Sequence, residues 1–255
     1  MHVNAAVGSD NPLNSDCLAT GTGACATFQN AINIVQQYFD PASGTIQADC
    51  ESVYQELVTI SASGNGYLAI QLNGNPTTPA NCAWMPNGIS GTIISVQDFS
   101  TSGVSGFTFG FTGGASGTFI QSRQYAIVDL GNLVFSANPG GIDLQAVTNA
   151  TISTIGTITL NNATGGALGA VLDNAFLHIG LPITVQPSSA ASFTSWFIAA
   201  NNSSLFLNST ITLGAGAVAS GQRFSCDTNS VISQSGVVWP TGVNGSSVQR
   251  GCVAF

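Results

Sequence analysis

The sequence has no lysine, and its only basic side chains are Arg123, Arg223, Arg250 and the two histidines, His2 and His178. Charged residues make up 5% of the 255 positions, against about 25% in typical soluble domains. A net charge of −8 without a basic patch leaves phosphates nothing to pair with, which argues against nucleic acid as a partner. Attraction to an anionic membrane is disfavoured for the same reason. An α-rich protein would dress its helices with Lys, Glu and Arg, so their scarcity points to strands and turns. No run of about 20 apolar residues exists, so no membrane-spanning helix is expected. Residues Met1 to Pro12 carry neither a basic segment nor an apolar one and do not read as a secretory signal. With two histidines and no C-x-x-C, no zinc site is expected, and no cofactor motif occurs.

What is present is an apolar fraction of 44%, enough for a continuous core, with Asn, Ser, Thr, Gly and Gln in place of charge at the surface. Six cysteines stand at 17, 25, 50, 82, 226 and 252. They permit disulfides, but small buried thiols are an equal reading. Cys226 and Cys252 lie near the C-terminus, where a bond between them would staple that end.

One helix is expected, at about 27–39. Phe28, Ala31, Ile32, Val35 and Phe39 share a face, Thr27 is placed to cap the N-terminus, and Asp40-Pro41 with Gly44 stops it. From there the period falls to two. Short strands at 45–48, 67–72 and 92–96 alternate with Gly, Asn and Pro turns. Phe107, Phe109 and Phe111 point to one side and read as a core stack rather than a glycan platform.

The second half repeats. Starting after Gln124, Asn149, Asn174, Asn202 and Asn229, the third positions are Ile127, Ile152, Leu177, Leu205 and Ile232. The ninth are Leu133, Ile158, Ile183, Ile211 and Val238, and the eleventh, in the first four, are Phe135, Leu160, Val185 and Leu213. A unit of about 25 residues with a few inward aliphatics cannot bury them alone, but stacked at about 4.8 Å the units form columns. The fold expected is therefore all-β, a right-handed parallel β-helix. Residues 1–43 would form a strand, a loop and a capping helix, 44–240 the coils, and 241–255 a tail that closes the far end together with Trp239-Pro240. Asn149, Asn174, Asn202 and Asn229 sit at the corners, where Asn tolerates the left-handed conformation, and their side chains are expected to form a structural ladder.

Val3-Asn4-Ala5-Ala6-Val7-Gly8-Ser9-Asp10, then Ala26-Thr27-Phe28-Gln29-Asn30-Ala31-Ile32 and Thr45-Ile46-Gln47-Ala48-Asp49, resembles the start of pectate-lyase-like β-helix proteins. Here Cys50 replaces the usual small residue after the Asp. With Gly66 to Leu72 and Asn73 to Pro79, the version is similar to β-helix proteins of tailed bacteriophages and prophages, such as tail fibres, tailspikes and virion surface proteins. The resemblance covers about residues 3–80. It implies a virion surface component, assembled in the host cytoplasm and released by lysis. It also implies a homotrimer whose other partners are virion proteins and, for some relatives, host polysaccharide.

Catalytic chemistry is sparse. The acids of the coil region are Asp98, Asp129, Asp143, Asp173 and Asp227, and their offsets do not stack on one face, apart from Asp173 and Asp227 near the Asn corner. A glycosidase needs two carboxylates about 5–9.5 Å apart. Arg123 and Arg223 have no acid at a matching offset, and His178 faces opposite to Leu177 on a strand, toward solvent. The expectation is a non-enzymatic fibre, spike or capsid-decorating protein with host-glycan adhesion. A polysaccharide depolymerase with an intersubunit site and a bacterial surface adhesin are the alternatives. The candidate glycan-binding residue is Trp196, which lies in the coil with extra residues, where a loop Trp would favour sugar stacking; folding onto the core is its other reading.

Overall fold

Each coil of the chain must turn a corner after a strand of only a few residues, and those corners can be recognised by their backbone. In a computed structural model that describes residues 1–12, 17–38, 42–62, 68–249 and 251–255, consecutive residues take positive φ in pairs. The pairs are Asp98-Phe99, Gln124-Tyr125, Thr148-Asn149, Asp173-Asn174, Asn201-Asn202 and Thr228-Asn229. They stack on one another, one pair per coil, and turn the chain from one sheet face to the next. Strands between corners pair in parallel with the equivalent strands of neighbouring coils, giving a β-solenoid.

The first face holds ten strands, running from His2–Val3 and Ala42–Ala48 through Ile127–Leu130 and Phe176–Ile179 to Val231–Ser233 and Val253–Ala254. The second face carries Ala83–Trp84, Thr108–Phe109, Leu133–Ala137, Ile183–Val185 and Ile211–Leu213. The third runs from Val58–Ser61 through Gly117–Arg123, Ile142–Val147 and Ala190–Ala199 to Ser246–Val248. Ile158–Leu172 is long enough to serve the second face and then the third. Residues of the C-terminal tail thus pair into both sheets as the last coil.

Side chains fill the interior in columns. Val128, Ile152, Leu177, Leu205 and Ile232 are in register and fully buried. The expected repeat is therefore out by one residue in its first unit. The corner equivalent to Asn149 is Tyr125, not Gln124, and Ile127 points outward at 44% exposure. The hydrophobic pattern could not separate Ile127 from Val128, because both are β-branched aliphatics at the mouth of one strand. The columns Leu133-Ile158-Ile183-Ile211 and Phe135-Leu160-Val185-Leu213 hold as read, but Val238 lies outside, 65% exposed.

The helix is α1, Phe28–Tyr38, with Phe28, Ala31, Ile32 and Val35 buried. Phe39 and Asp40-Pro41 lie outside the described residues. Thr27 caps the helix, its Oγ1 accepting from Asn30 N at 3.2 Å, and the Asp10 carboxylate in turn accepts from the Thr27 hydroxyl and backbone. Both oxygens of Glu56 accept the next free amides, Phe28 N at 2.7 Å and Gln29 N at 3.1 Å. These amides have no partner within the helix, and an anion is favoured beside them. Phe28 then enters an aromatic stack, lying on Trp84 with centroids 4.3 Å apart and edge-on to Tyr54 and Phe107. Phe107, Phe109 and Phe111 are buried in that stack, as the alternation implied.

All six cysteines are paired, Cys17 with Cys25, Cys50 with Cys82, and Cys226 with Cys252. At the far end Trp239 packs edge-on to Trp196 and Phe197, and its indole donates to Gln234 at 2.9 Å. No helix among the described residues is long and apolar enough to cross a membrane.

Candidate functional site

The corner row meets the expectation for asparagine only in part. Asn149, Asn174, Asn202 and Asn229 all hold the left-handed conformation. Their side chains are exposed, and the ladder along the axis is made by backbone: Asn149 N donates to Asp173 O, Asn174 N to Asn201 O, and Asn202 N to Thr228 O, at 2.9–3.0 Å. The amide is there because it tolerates the conformation. One side-chain rung does occur, from Asn201 Nδ2 to Asp173 Oδ1 at 2.7 Å, which makes Asp173 a turn residue.

In the two coils before Asn149 the same row carries aromatics. Phe99 and Tyr125 take φ of 60° and 65°, are 65% and 53% exposed, and stack with centroids 5.0 Å apart and planes 2° apart. A bulky residue at positive φ is strained where Asn is not. Exposed Arg123 stands two residues before Tyr125 in the chain. Neither ring belongs to an apolar pattern, so no periodicity points to the ridge.

Trp196 is not a loop residue and does not face solvent. It is fully buried in the strand Ala190–Ala199, its indole donating to Ser220 O at 2.9 Å and its ring edge-on to Phe193. Relative to the preceding coil, the three extra residues fall in the corner between Val185 and Ala191, since Leu160 pairs with Val185 but Ala163 with Ala191; the register shift between Phe193 and Ser195 takes up one residue against the following coil. The register places Trp196 in a buried column with Ile93, Phe119, Asp143 and Leu168, each bracketed by paired neighbours. A glycan cannot stack on it.

Asp143 is the one acid in that apolar column. Its Oδ1 accepts from Asn138 Nδ2 at 3.0 Å, its Oδ2 is buried without a partner, and burial pushes its pKa well above the usual carboxylate range. No second acid stands beside it in the column. On the outside of the first face, Asp129, Ser153 and His178 occupy one position in three successive coils. The serine is in the middle, so the histidine cannot sit between nucleophile and acid as a triad requires. His178 is outward and half-buried, near Phe176 and Phe206, with Nε2 3.4 Å from Asn208 Nδ2. At the N-terminal end, Asp49 and Glu51 share the buried Asn4 amide, and Asp49 also accepts from Gly21 N and meets His2 at 3.1 Å. Those acids tie the entry loop down. No group of three or more metal-ligating side chains gathers among the described residues.

One concave feature among the described residues is a groove of about 390 Å3 on the second face. It lies where the corner between first and second faces is enlarged, at residues 74–82. Later coils make that corner in a few residues; here the chain arches along the axis. Asn75 Oδ1 accepts from Thr77 N and Thr78 N to turn it, and a 3-10 turn, Pro79–Asn81, brings it back. Its first foot rests on the next coil, with Gly74 N and Asn75 N donating to Ser105 O and Gly106 O. Gly106 has φ of 78°, and a side chain there would collide with the Asn75 and Pro76 backbone. The second foot is held by Cys82, bonded to Cys50. Asn132 Nδ2 supports the span by donating to Pro76 O at 3.3 Å. Under the arch, outward-facing Val134 is only 6% exposed, and Thr159 and Gln186 complete the floor.

Neither a family model, nor a curated protein, nor a solved structure matches the chain. The fold and the chemistry of its surfaces carry the functional argument.

Proposed function

We propose that this protein is a non-enzymatic structural component of a bacteriophage particle surface, a fibre, spike or decoration subunit, with adhesion to neutral host glycans. The observation that carries the reading is a solenoid with every coil paired to the next and both ends stapled by disulfides. Such a rod resists unfolding and proteolysis without needing charge on its surface. Closed disulfides suit a protein that works in an oxidising medium outside a cell. The amide- and hydroxyl-rich exterior can hydrogen-bond sugars, and the Phe99-Tyr125 ridge offers apolar edges among polar corners. The coil carboxylates are separately engaged or separately placed, which supports a mechanical role over a hydrolytic one.

Homotrimeric assembly is part of the proposal. Light scattering or mass photometry on the purified chain tests it: a stable trimer is expected. A clean monomer at micromolar concentration would overturn the free-standing trimeric spike and leave a decoration subunit ordered on a larger particle.

A further inference from the structure

We infer that the groove beneath the 74–82 arch is a binding site for a short neutral saccharide. The inference rests on the adhesive half of the reading above and assigns it a place and a ligand class. Three observations carry it. First, the groove is preformed: one foot of the arch is bonded to the next coil through backbone, the other through Cys50–Cys82, and Asn132 braces the span. Its volume, about 390 Å3, falls at the small end of the range for small-molecule sites, about 300–1,000 Å3. Little ordering is needed when a ligand enters, and that cost otherwise weakens binding.

Second, no ionisable side chain lines it. An anionic sugar would find no cation there, in a chain whose net charge is already −8, and a cation would find no carboxylate. Third, the polar groups that do line it are Thr hydroxyls and Asn and Gln amides, which donate and accept at once. That is the pattern a sugar hydroxyl satisfies. Several are spare: among the described residues the Thr77 and Thr159 hydroxyls and the Gln186 amide make no hydrogen bond. Pro76, Pro79 and Val134 supply the apolar surface on which a pyranose C–H face can rest. An enlarged corner is also the place where a solenoid can vary without disturbing its columns.

The test is ligand-observed NMR and calorimetry on the whole chain with neutral hexose and N-acetylhexosamine disaccharides, and with hexuronate oligomers of the same length. Thr159→Val and Gln186→Leu remove the spare polar groups at constant volume. Neutral disaccharides are expected to bind, hexuronates not, and the double variant to bind at least tenfold more weakly with an unchanged melting temperature. Neutral sugar binding that survives the double variant but is lost in Phe99→Ala/Tyr125→Ala would overturn the groove and leave adhesion standing at the ridge. Binding of hexuronates alone, or of no sugar at all, would also overturn it. The trimer measurement judges the particle reading independently of these results.

Discussion

A carboxyl locked inside an apolar column makes stability depend on pH in a direction opposite to the usual one. Asp143 is fully buried, one oxygen bonded to Asn138 and the other unpartnered, and its pKa is raised above the normal value of 3.8. Unfolding exposes it, so above the normal value the unfolded chain releases a proton that the native state keeps. Because the native pKa is the higher one, stability is fully present below the unfolded value and is lost as pH rises toward the native one. One proton corresponds to a slope of about −1.4 kcal/mol per pH unit until the native carboxyl itself ionises. Asp143→Asn keeps the size and the acceptor for Asn138 but has no proton to lose. Guanidinium unfolding at pH 5, 6, 7 and 8, in parallel for both proteins, reads the difference. The wild type is expected to lose ground against the variant as pH rises, by up to about tenfold in the folding constant per unit, until the native carboxyl itself ionises and the difference levels off. A difference in unfolding free energy that stays constant across the four pH values would refute the reasoning, since it would mean that Asp143 holds the same charge folded and unfolded.

Phe28→Ala removes the ring that joins α1 to the Trp84 stack; a loss of about 3–5 kcal/mol is expected from chemical denaturation, with early exchange of the helix amides. Replacing Cys226 and Cys252 by serine opens a loop spanning 26 residues; the expected loss is about 3.5 kcal/mol, read as premature protease cleavage near the C-terminus while the central coils persist. Tyr125→Asn gives the ridge the residue used by later coils, trading a ring stack of about 0.5–1.5 kcal/mol for relief of left-handed strain of about 1–3 kcal/mol. Its melting temperature is expected to stay equal or rise; a clear fall would show that the aromatic pair holds the corner together rather than serving the surface.

The coils were readable because their aliphatics recur at a spacing that only stacking can satisfy. Leu133, Ile158, Ile183 and Ile211 are in register as read, and Thr27 caps the helix as its position implied. Errors came where two residues compete for one slot. Ile127 and Val128 are alike in the sequence, and only the stacked corners decide that Val128 is inside. Trp196 is the other mismatch: the extra residues of its coil do fall in a corner, between Val185 and Ala191, but Trp196 stands beyond that corner, inside a paired strand. Of the cysteines, the Cys226–Cys252 staple was legible, since 26 residues is one coil, whereas Cys17–Cys25 and Cys50–Cys82, with separations of 8 and 32, match no coil period. The groove was equally hidden: none of its Thr, Asn or Pro residues is unusual in a turn-rich sequence, and its shape exists because residue 76 reaches Asn132, 56 residues further along the chain.

That geometry separates two kinds of position in this protein. Residues that point inward answer to their neighbours one coil away, and even the ionisable Asp143 is held by Asn138 rather than presented to solvent. Residues at corners answer to backbone conformation first, which is why Asn serves at four of them. Phe99 and Tyr125 break that rule at a strained backbone, and the 74–82 corner breaks the rule of brevity. A stacked fold loses stability by such departures and gains nothing for its core, since Val134 beneath the arch already points away from it. Both departures fall on the outer surface, within the first half of the solenoid. The proposed adhesion to an uncharged partner would give both departures a use on that half of the solenoid, which a purely mechanical role would not.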